Sequence, residues 1–461
     1  MSVPSLLTFA LPVLSGTLIV HLLWADRKTP LDLILQLSLG TGLGLGLSSL
    51  LYYVYLTFLA GSPYFLYVEL AFFLAILTLA YLKHKKTVHI SSPRLKVSSL
   101  QITILAIGLL VSALSFLGLV NYSRQRAYGD WDAWMIYNRS ARFIYRGGEA
   151  WQDAFSSDMN LVFHADYPPL LALNIASRWE MLGTETTSVP MILGFLFILA
   201  SLGLCFSALA NFKSVGQAAL GLILLGGVQF FSSEGGRQTA DVPLAFFMLA
   251  SVVFLFFNYR EKRGIFMAFA GFMAGLAAWT KNEGLFFVAA SAGILFLMAL
   301  WKRSFWDLLF YFAGVLLPLV LLIHFKTQVA PSSEFADGGL GILLQKLTDL
   351  SRHGLIFNSF KGFFLRQGGW FNVGIYLILG GYYLLFRSRT SDNPDGILVS
   401  LAILTLQFIG YYLFYLISPY DLVWHIGYSL NRLFVHVYPA IIFIVLSASQ
   451  TPETVFSSSM E

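Results

Sequence analysis

A chain of 461 residues that is 57% hydrophobic and only 11% charged is too apolar for a water-soluble domain. Its mean hydropathy is +0.72, and apolar stretches of about 17–25 residues, long enough to cross a bilayer as helices, recur along nearly its whole length. The net charge of +5 is modest and reads as membrane topology, not as nucleic-acid binding.

Only helices and closed barrels satisfy their backbone in lipid, and these runs lack the alternation of barrel strands. The expected fold class is therefore all-α, a polytopic membrane bundle. Thirteen spans fit the hydropathy: 5–24, 32–58, 65–82, 99–120, 188–210, 216–232, 241–258, 264–280, 284–300, 307–325, 371–387, 397–417 and 432–448. The first, within MSVPSLLTFALPVLSGTLIVHLLW, has no basic region before it and reads as a retained span. The second carries LGTGLGLGLSS, a pattern that suits either close helix packing or a transport path. Between 121 and 187 lies a long polar loop, in which YPPLLALNIASRWEM (167–181) is too short and too charged to span and reads as a juxtamembrane or re-entrant helix started by its prolines. Cys205, the one cysteine, sits in an apolar run and has no partner for a disulfide. The tail TPETVFSSSME (451–461) reads as unstructured.

One orientation obeys the positive-inside rule. With KHKKTVHISSPRLK (83–96) in the cytoplasm, the basic groups of ADRK, NFK, NYREKR, WKR and RSR also fall inside. Acidic residues then gather on the other, extracytoplasmic face. Five stretches there carry chemistry. GDWDAW places Asp130 and Asp132 two residues apart before an amphipathic helical pattern; a helix cap accounts for Asp130, while a carboxylate pair can also divide the roles of general base and metal ligand. HADYPPLL adds His164, Asp166 and Tyr167, as a turn fixed by two prolines or as further acid for a divalent metal. SSEGGRQTADVPLAFF carries Glu234, Arg237 and Asp241; the last two are four residues apart and could simply pair. GLAAWTKNEGLFF interrupts two apolar runs with Lys281 and Glu283, which form an ion pair or hold a phosphate at headgroup level. SPYDLVWHIGYSLNRLFVHVYPA sets Asp421, His425, Asn431, Arg432 and His436 around the start of the last span. Arg432 and His436 share a helix face there, as a polar pocket would require. The long loop 326–370 is placed to cover such a site as a lid.

Taken together, these residues resemble the GT-C superfamily of integral-membrane glycosyltransferases, and within it the protein mannosyltransferase and lipid A aminoarabinose transferase branch. The resemblance rests on GDWDAW, YPPLL, ADVPLAFF, GLAAWTKNEG and SLNRLFVHVYP and covers about 120–440. It implies a catalytic domain at 99–448, accessory spans at 1–98 and a cytoplasmic tail at 449–461. It also implies transfer of a monosaccharide, with inversion, from a polyprenyl-phosphate donor. The acid of the first outer loop, Asp132 or Asp130, would be the base, with Asp166 as a second acid, and Thr280-Lys281 would contact the donor. Here the loop reads Asp-x-Asp where the mannosyltransferases show Asp-Glu, and Lys-Asn-Glu replaces the Lys-Gly turn of the aminoarabinose branch.

The expected protein is thus a glycosyltransferase of the cytoplasmic membrane with its site on the outer face. Membrane lipids surround it, and the acceptor is a glycan, lipid or protein hydroxyl. Lys281, Arg432 and Arg237 would hold phosphate, with Glu283, Asp241, His436 and Tyr167 also binding substrate. A divalent metal would draw its ligands from Asp130, Asp132, His164 and Asp166. Two other readings stay open. One is a transporter or flippase of lipid-linked sugars, which needs polar groups at mid-membrane. The other is a polymerase or ligase of different fold, working through Lys361 and Arg366.

Overall fold

The computed structural model describes residues 2–24, 29–84, 97–159, 164–332, 339–366, 368, 373–388 and 393–458. Most of the basic loop 83–96, ADRK, Arg389, part of the expected lid and the last three residues lie outside that set. The described chain is helical, with a lone bridge between Arg387 and Ser449. Among the described residues ten helices are long and apolar enough to span a membrane, Val215–Gly226 and Gln229–Gly236 form a bent pair that is either a broken span or a re-entrant loop, and Gly264–Thr280 and Ile375–Phe386 are shorter apolar helices.

The elements used below are α1 (Ala10–Leu23), α2 (Pro30–Leu59), α3 (Phe65–His84), α4 (Ser99–Gln125), α5 (Asn138–Gly147), α6 (Leu170–Leu182), α7 (Ser188–Phe212), α8 (Val215–Gly226), α9 (Gln229–Gly236), α10 (Asp241–Glu261), α11 (Gly264–Thr280), α12 (Asn282–Lys302), α13 (Trp306–His324), α14 (Gly339–Thr348), α15 (Leu350–Arg366), α16 (Ile375–Phe386), α17 (Pro394–Ile417) and α18 (Leu422–Ser447). Helix α10 is buried along its length and forms the axis of the bundle, packed by α7, α11, α17 and α18. Helices α3 and α4 instead expose apolar side chains such as Leu74, Leu77, Leu110 and Leu117, as lipid-facing helices do.

The glycine run of α2 is a packing surface. A Cβ at Gly44 would meet the carbonyl of Pro12 at 1.8 Å, and one at Gly42 would meet the Phe246 ring at 1.9 Å. Small residues here let α1 and α10 approach the α2 backbone. Capping is conventional at its start, where Thr29 and Asp32 close a capping box before Pro30.

Four expectations need correction. The run 216–232 is not one helix; α8 and α9 bend by 63° at Gly227-Val228. The last span begins at Leu422, not at 432, so Arg432 and His436 lie inside α18. Polar residues masked that extension from the hydropathy, yet Arg432 and His436 face inward, where both bond Asp241. The tail is not wholly unstructured, because Pro452–Ser458 is helical and Glu453 accepts hydrogen bonds from the Ser214 hydroxyl. The amphipathic stripe after Asp132 is interrupted by a π turn, Ala133–Tyr137. Its extra residue rotates Trp134 into the open while Tyr137 and Ala141 stay buried. Helix α6 does start directly after Pro168-Pro169, and it is buried from Leu170 to Trp179.

Candidate functional site

The site forms where four separate helix ends meet. Gly129, at φ +76°, makes the turn that ends the loop after α4; a Cβ there would meet the Arg237 carbonyl at 2.5 Å. The Asp130 amide donates to that same carbonyl at 3.0 Å, so the turn is pinned against the residue that follows α9. Asp132 follows and points inward. Lys281 is the single extended residue between α11 and α12. Gly284 allows this tight junction, since a Cβ there would meet the Ala277 carbonyl at 2.1 Å.

The centre of the network is Asp241, the first residue of α10, which is wholly buried. Its Oδ1 accepts from Lys281 Nζ at 2.9 Å and from His436 Nε2 at 2.7 Å. Its Oδ2 accepts from the Thr239 hydroxyl at 2.8 Å and from Arg432 Nε at 2.8 Å. The two cations then reach forward. Lys281 Nζ lies 2.9 Å from Glu283 Oε1, and Arg432 Nη1 lies 2.6 Å from Asp132 Oδ2. The Tyr428 hydroxyl donates to the other Asp132 oxygen at 2.6 Å. Arg432 Nη2 is buried and has no hydrogen-bond partner, as is the Tyr137 hydroxyl.

In front of this network is a cavity of about 510 Å³. Asp132, Lys281, Glu283 and Arg432 line its polar side, and Trp131, Tyr167, Phe414, Tyr420, Trp424 and Tyr428 form aromatic walls. His164 and Tyr167 stack on each other at its edge, with ring centroids 5.0 Å apart. Burial pushes the phenols of Tyr137 and Tyr167 well above their ordinary pKa, so both are neutral donors at physiological pH.

The remaining sequence candidates lie beside the cavity. Asp130 is part-exposed and pairs with Arg237, Nε to Oδ2 at 3.3 Å, while Arg237 also reaches Glu234 at 2.8 Å. Asp166 accepts from Asn282 Nδ2 at 3.1 Å and pairs with Lys326 at 3.3 Å, tying the turn before α6 to the end of α13. Among the described residues of 326–370, none lines the cavity; the rest of the expected lid lies outside the described residues. In that segment Lys346 and Arg352 instead hold the backbone carbonyls at the end of α17. Lys361 and Arg366 are exposed.

Among the described residues no three His, Cys, Asp or Glu side chains converge on one point. Each acid is matched to a different cation: Asp130 to Arg237, Asp132 to Arg432 and Asp166 to Lys326.

No family model matches the chain, and no curated protein matches it. Among solved structures it is similar to the crystal structure of ArnT from Cupriavidus metallidurans in the apo state, at 16% identity and a TM-score of 0.39. The match covers 78% of this chain, which spans 61% of that structure's length.

Of the aromatic walls the sequence pointed to Tyr167, and it missed Phe414, Tyr420, Trp424 and Tyr428 as well as the partners Lys326 and Asn282. Tyr428 precedes Arg432 by one helical turn, so the i, i+4 spacing would have placed both on one face once α18 was extended. Lys326 and Asn282 gave no signal beyond standing at helix ends.

Proposed function

We propose that this protein is a GT-C-type membrane glycosyltransferase that takes a monosaccharide from a polyprenyl-phosphate donor on the outer face of the membrane. The observation that carries this reading is Arg432. One edge of its guanidinium holds Asp132, its Nε is anchored on Asp241, and its buried Nη2 is unfilled. A phosphate oxygen is the acceptor that suits such a donor. The motif resemblance points the same way.

The chemistry follows from the geometry. A donor phosphate bound by Arg432 Nη2 and Lys281 competes with Asp132 for the guanidinium. That competition loosens Asp132, which then takes the proton from the acceptor hydroxyl. The acceptor oxygen bonds to the anomeric carbon as the bond from that carbon to the phosphate oxygen breaks. Lys281 and Arg432 neutralise the charge that returns to the phosphate. A one-step displacement of this kind inverts the anomeric centre. The aromatic walls pack the sugar ring, and the apolar tail of the donor lies along the bundle in lipid.

The test is thermal stabilisation of the purified protein by undecaprenyl phosphate. Saturable stabilisation in wild type and Asp132→Asn, lost in Lys281→Ala and Arg432→Ala, is expected. Stabilisation indifferent to both cations, or none with any polyprenyl phosphate, removes the donor site. The broken pair α8–α9 would then favour a transporter.

A further inference from the structure

Asp241 differs from every other acid of the site. Asp132 and Glu283 line the cavity; Asp241 does not, and no part of it is exposed. Its four hydrogen bonds occupy both oxygens, and they come from the turn before α10, from the α11–α12 junction and from two positions one turn apart on α18. A carboxylate so enclosed has no lone pair left for a substrate. We propose that Asp241 is a positioning residue: it holds the Lys281 ammonium and the Arg432 guanidinium charged and aimed into the cavity while binding nothing there itself. That the cavity takes a phosphate rests on the function proposed above; the role of Asp241 toward the two cations does not.

The need for such a group follows from electrostatics. Lys281 and Arg432 are both buried, and each acts on the other as a like charge. Two cations in a low-dielectric pocket repel and lose hydration, so they persist only with a counter-ion between them. Asp241 is that counter-ion, with hydrogen bonds to both. The groups facing Lys281 are Asp241 and Glu283 as anions, Arg432 as a cation, His436 across the Asp241 carboxylate, and His425 on the same cavity wall. The His436 ring bonds Asp241 through Nε2 and the Tyr411 hydroxyl through Nδ1, the latter at 3.2 Å.

Neutralising Asp241 leaves Lys281 with Glu283 alone against Arg432. The ammonium then gives up its proton at lower pH, whereas a guanidinium cannot. The variant should lose phosphate binding as pH rises, and an arginine at 281 should remove that pH dependence. A purely structural role predicts neither effect.

The experiment uses the full-length protein in nanodiscs. Binding of undecaprenyl phosphate is titrated across pH for wild type, Asp241→Asn, Asp241→Glu and Asp241→Asn with Lys281→Arg. In parallel, the reactivity of Lys281 toward an acetylating reagent is followed by mass spectrometry without ligand. Wild type should bind with little change between about pH 6 and 9, and Asp241→Asn should weaken roughly tenfold or more over the upper part of that range. The double variant should be flat again, and Asp241→Glu should keep most of the wild-type profile. Lys281 should acetylate at lower pH in Asp241→Asn than in wild type. Unchanged Lys281 reactivity in Asp241→Asn, or pH dependence that survives Lys281→Arg, overturns the proposal. Failure of wild type to bind any polyprenyl phosphate overturns the donor reading alone, because the acetylation profile still decides the role of Asp241. If Asp241→Asn does not fold, the comparison passes to Asp241→Ser, which also removes the charge; unchanged Lys281 reactivity there counts against the proposal.

Discussion

Two aspartates in GDWDAW looked interchangeable as candidate bases, and their surroundings separate them. Asp132 is on the cavity wall, with Tyr428 and Arg432 on its two oxygens. Asp130 is part-exposed, gives its backbone to the turn against Arg237 and its side chain to a surface ion pair. Such exposed pairs contribute little, about 0–1 kcal/mol. Asp132→Asn keeps the shape and the Tyr428 contact but cannot accept a proton. It should lower turnover of a lipid-linked sugar by roughly 10²–10⁴-fold, the usual share of a general base. Asp130→Asn should stay within a few-fold of wild type. The measurement is single-turnover transfer with each variant at saturating donor. Equal losses in the two variants would mean that the proton goes elsewhere.

At the level of helices, a buried ion pair joins the early spans to the first long loop. Arg178 of α6 is wholly buried and places Nη2 2.7 Å and Nη1 2.9 Å from the two oxygens of Glu69 on α3, with Ser48 of α2 accepting at 2.7 Å. Arg178→Ala leaves the Glu69 carboxylate buried and unpaired, and should cost about 3–5 kcal/mol. Glu69→Gln combined with Arg178→Met removes both charges and should recover most of that loss. Thermal midpoints of the three proteins in one detergent decide it; a double variant no better than Arg178→Ala would show that the hydrogen bonds to Ser48 matter more than the charges. This pair also shows what a sequence can reveal. The spans were legible because lipid demands long apolar windows, and most of their ends fell close to the helix ends; the exceptions are the last span, which begins at Leu422 and not at 432, and the run 216–232, which is bent. Glu69 and Arg178 were legible only as two interruptions, because nothing local couples residues so far apart in the chain. The same holds for the site. Lys281, Arg432 and Asp132 stood out as charges that an apolar chain retains. That Asp241 joins them from behind depends on the packing of α10 against α11 and α18.

Across the whole molecule, the helices give the charged residues two opposite ends. Asp241 opens α10 at the cavity, and Lys262 and Arg263 follow that helix at its far end; α11 returns to Lys281, and α12 leaves again toward Lys302 and Arg303. If those basic turns are cytoplasmic, as short basic loops are in most membrane proteins, the cavity opens on the outer face. The chain is suited to a direct test because its one cysteine, Cys205, is buried. Gly427→Cys stands beside the cavity in open space, and Ser304→Cys stands on an exposed basic turn at the other end. A membrane-impermeant thiol reagent should label Gly427→Cys in intact cells and should reach Ser304→Cys only after permeabilisation. The reverse pattern would put the cavity in the cytoplasm, where a nucleotide-activated sugar, not a lipid-linked one, would be the natural donor. The phosphate-binding role of Lys281 and Arg432 would survive that result, since a nucleotide sugar also leaves a phosphate. The polyprenyl tail would not, because a nucleotide sugar is taken from water and needs no anchor in lipid.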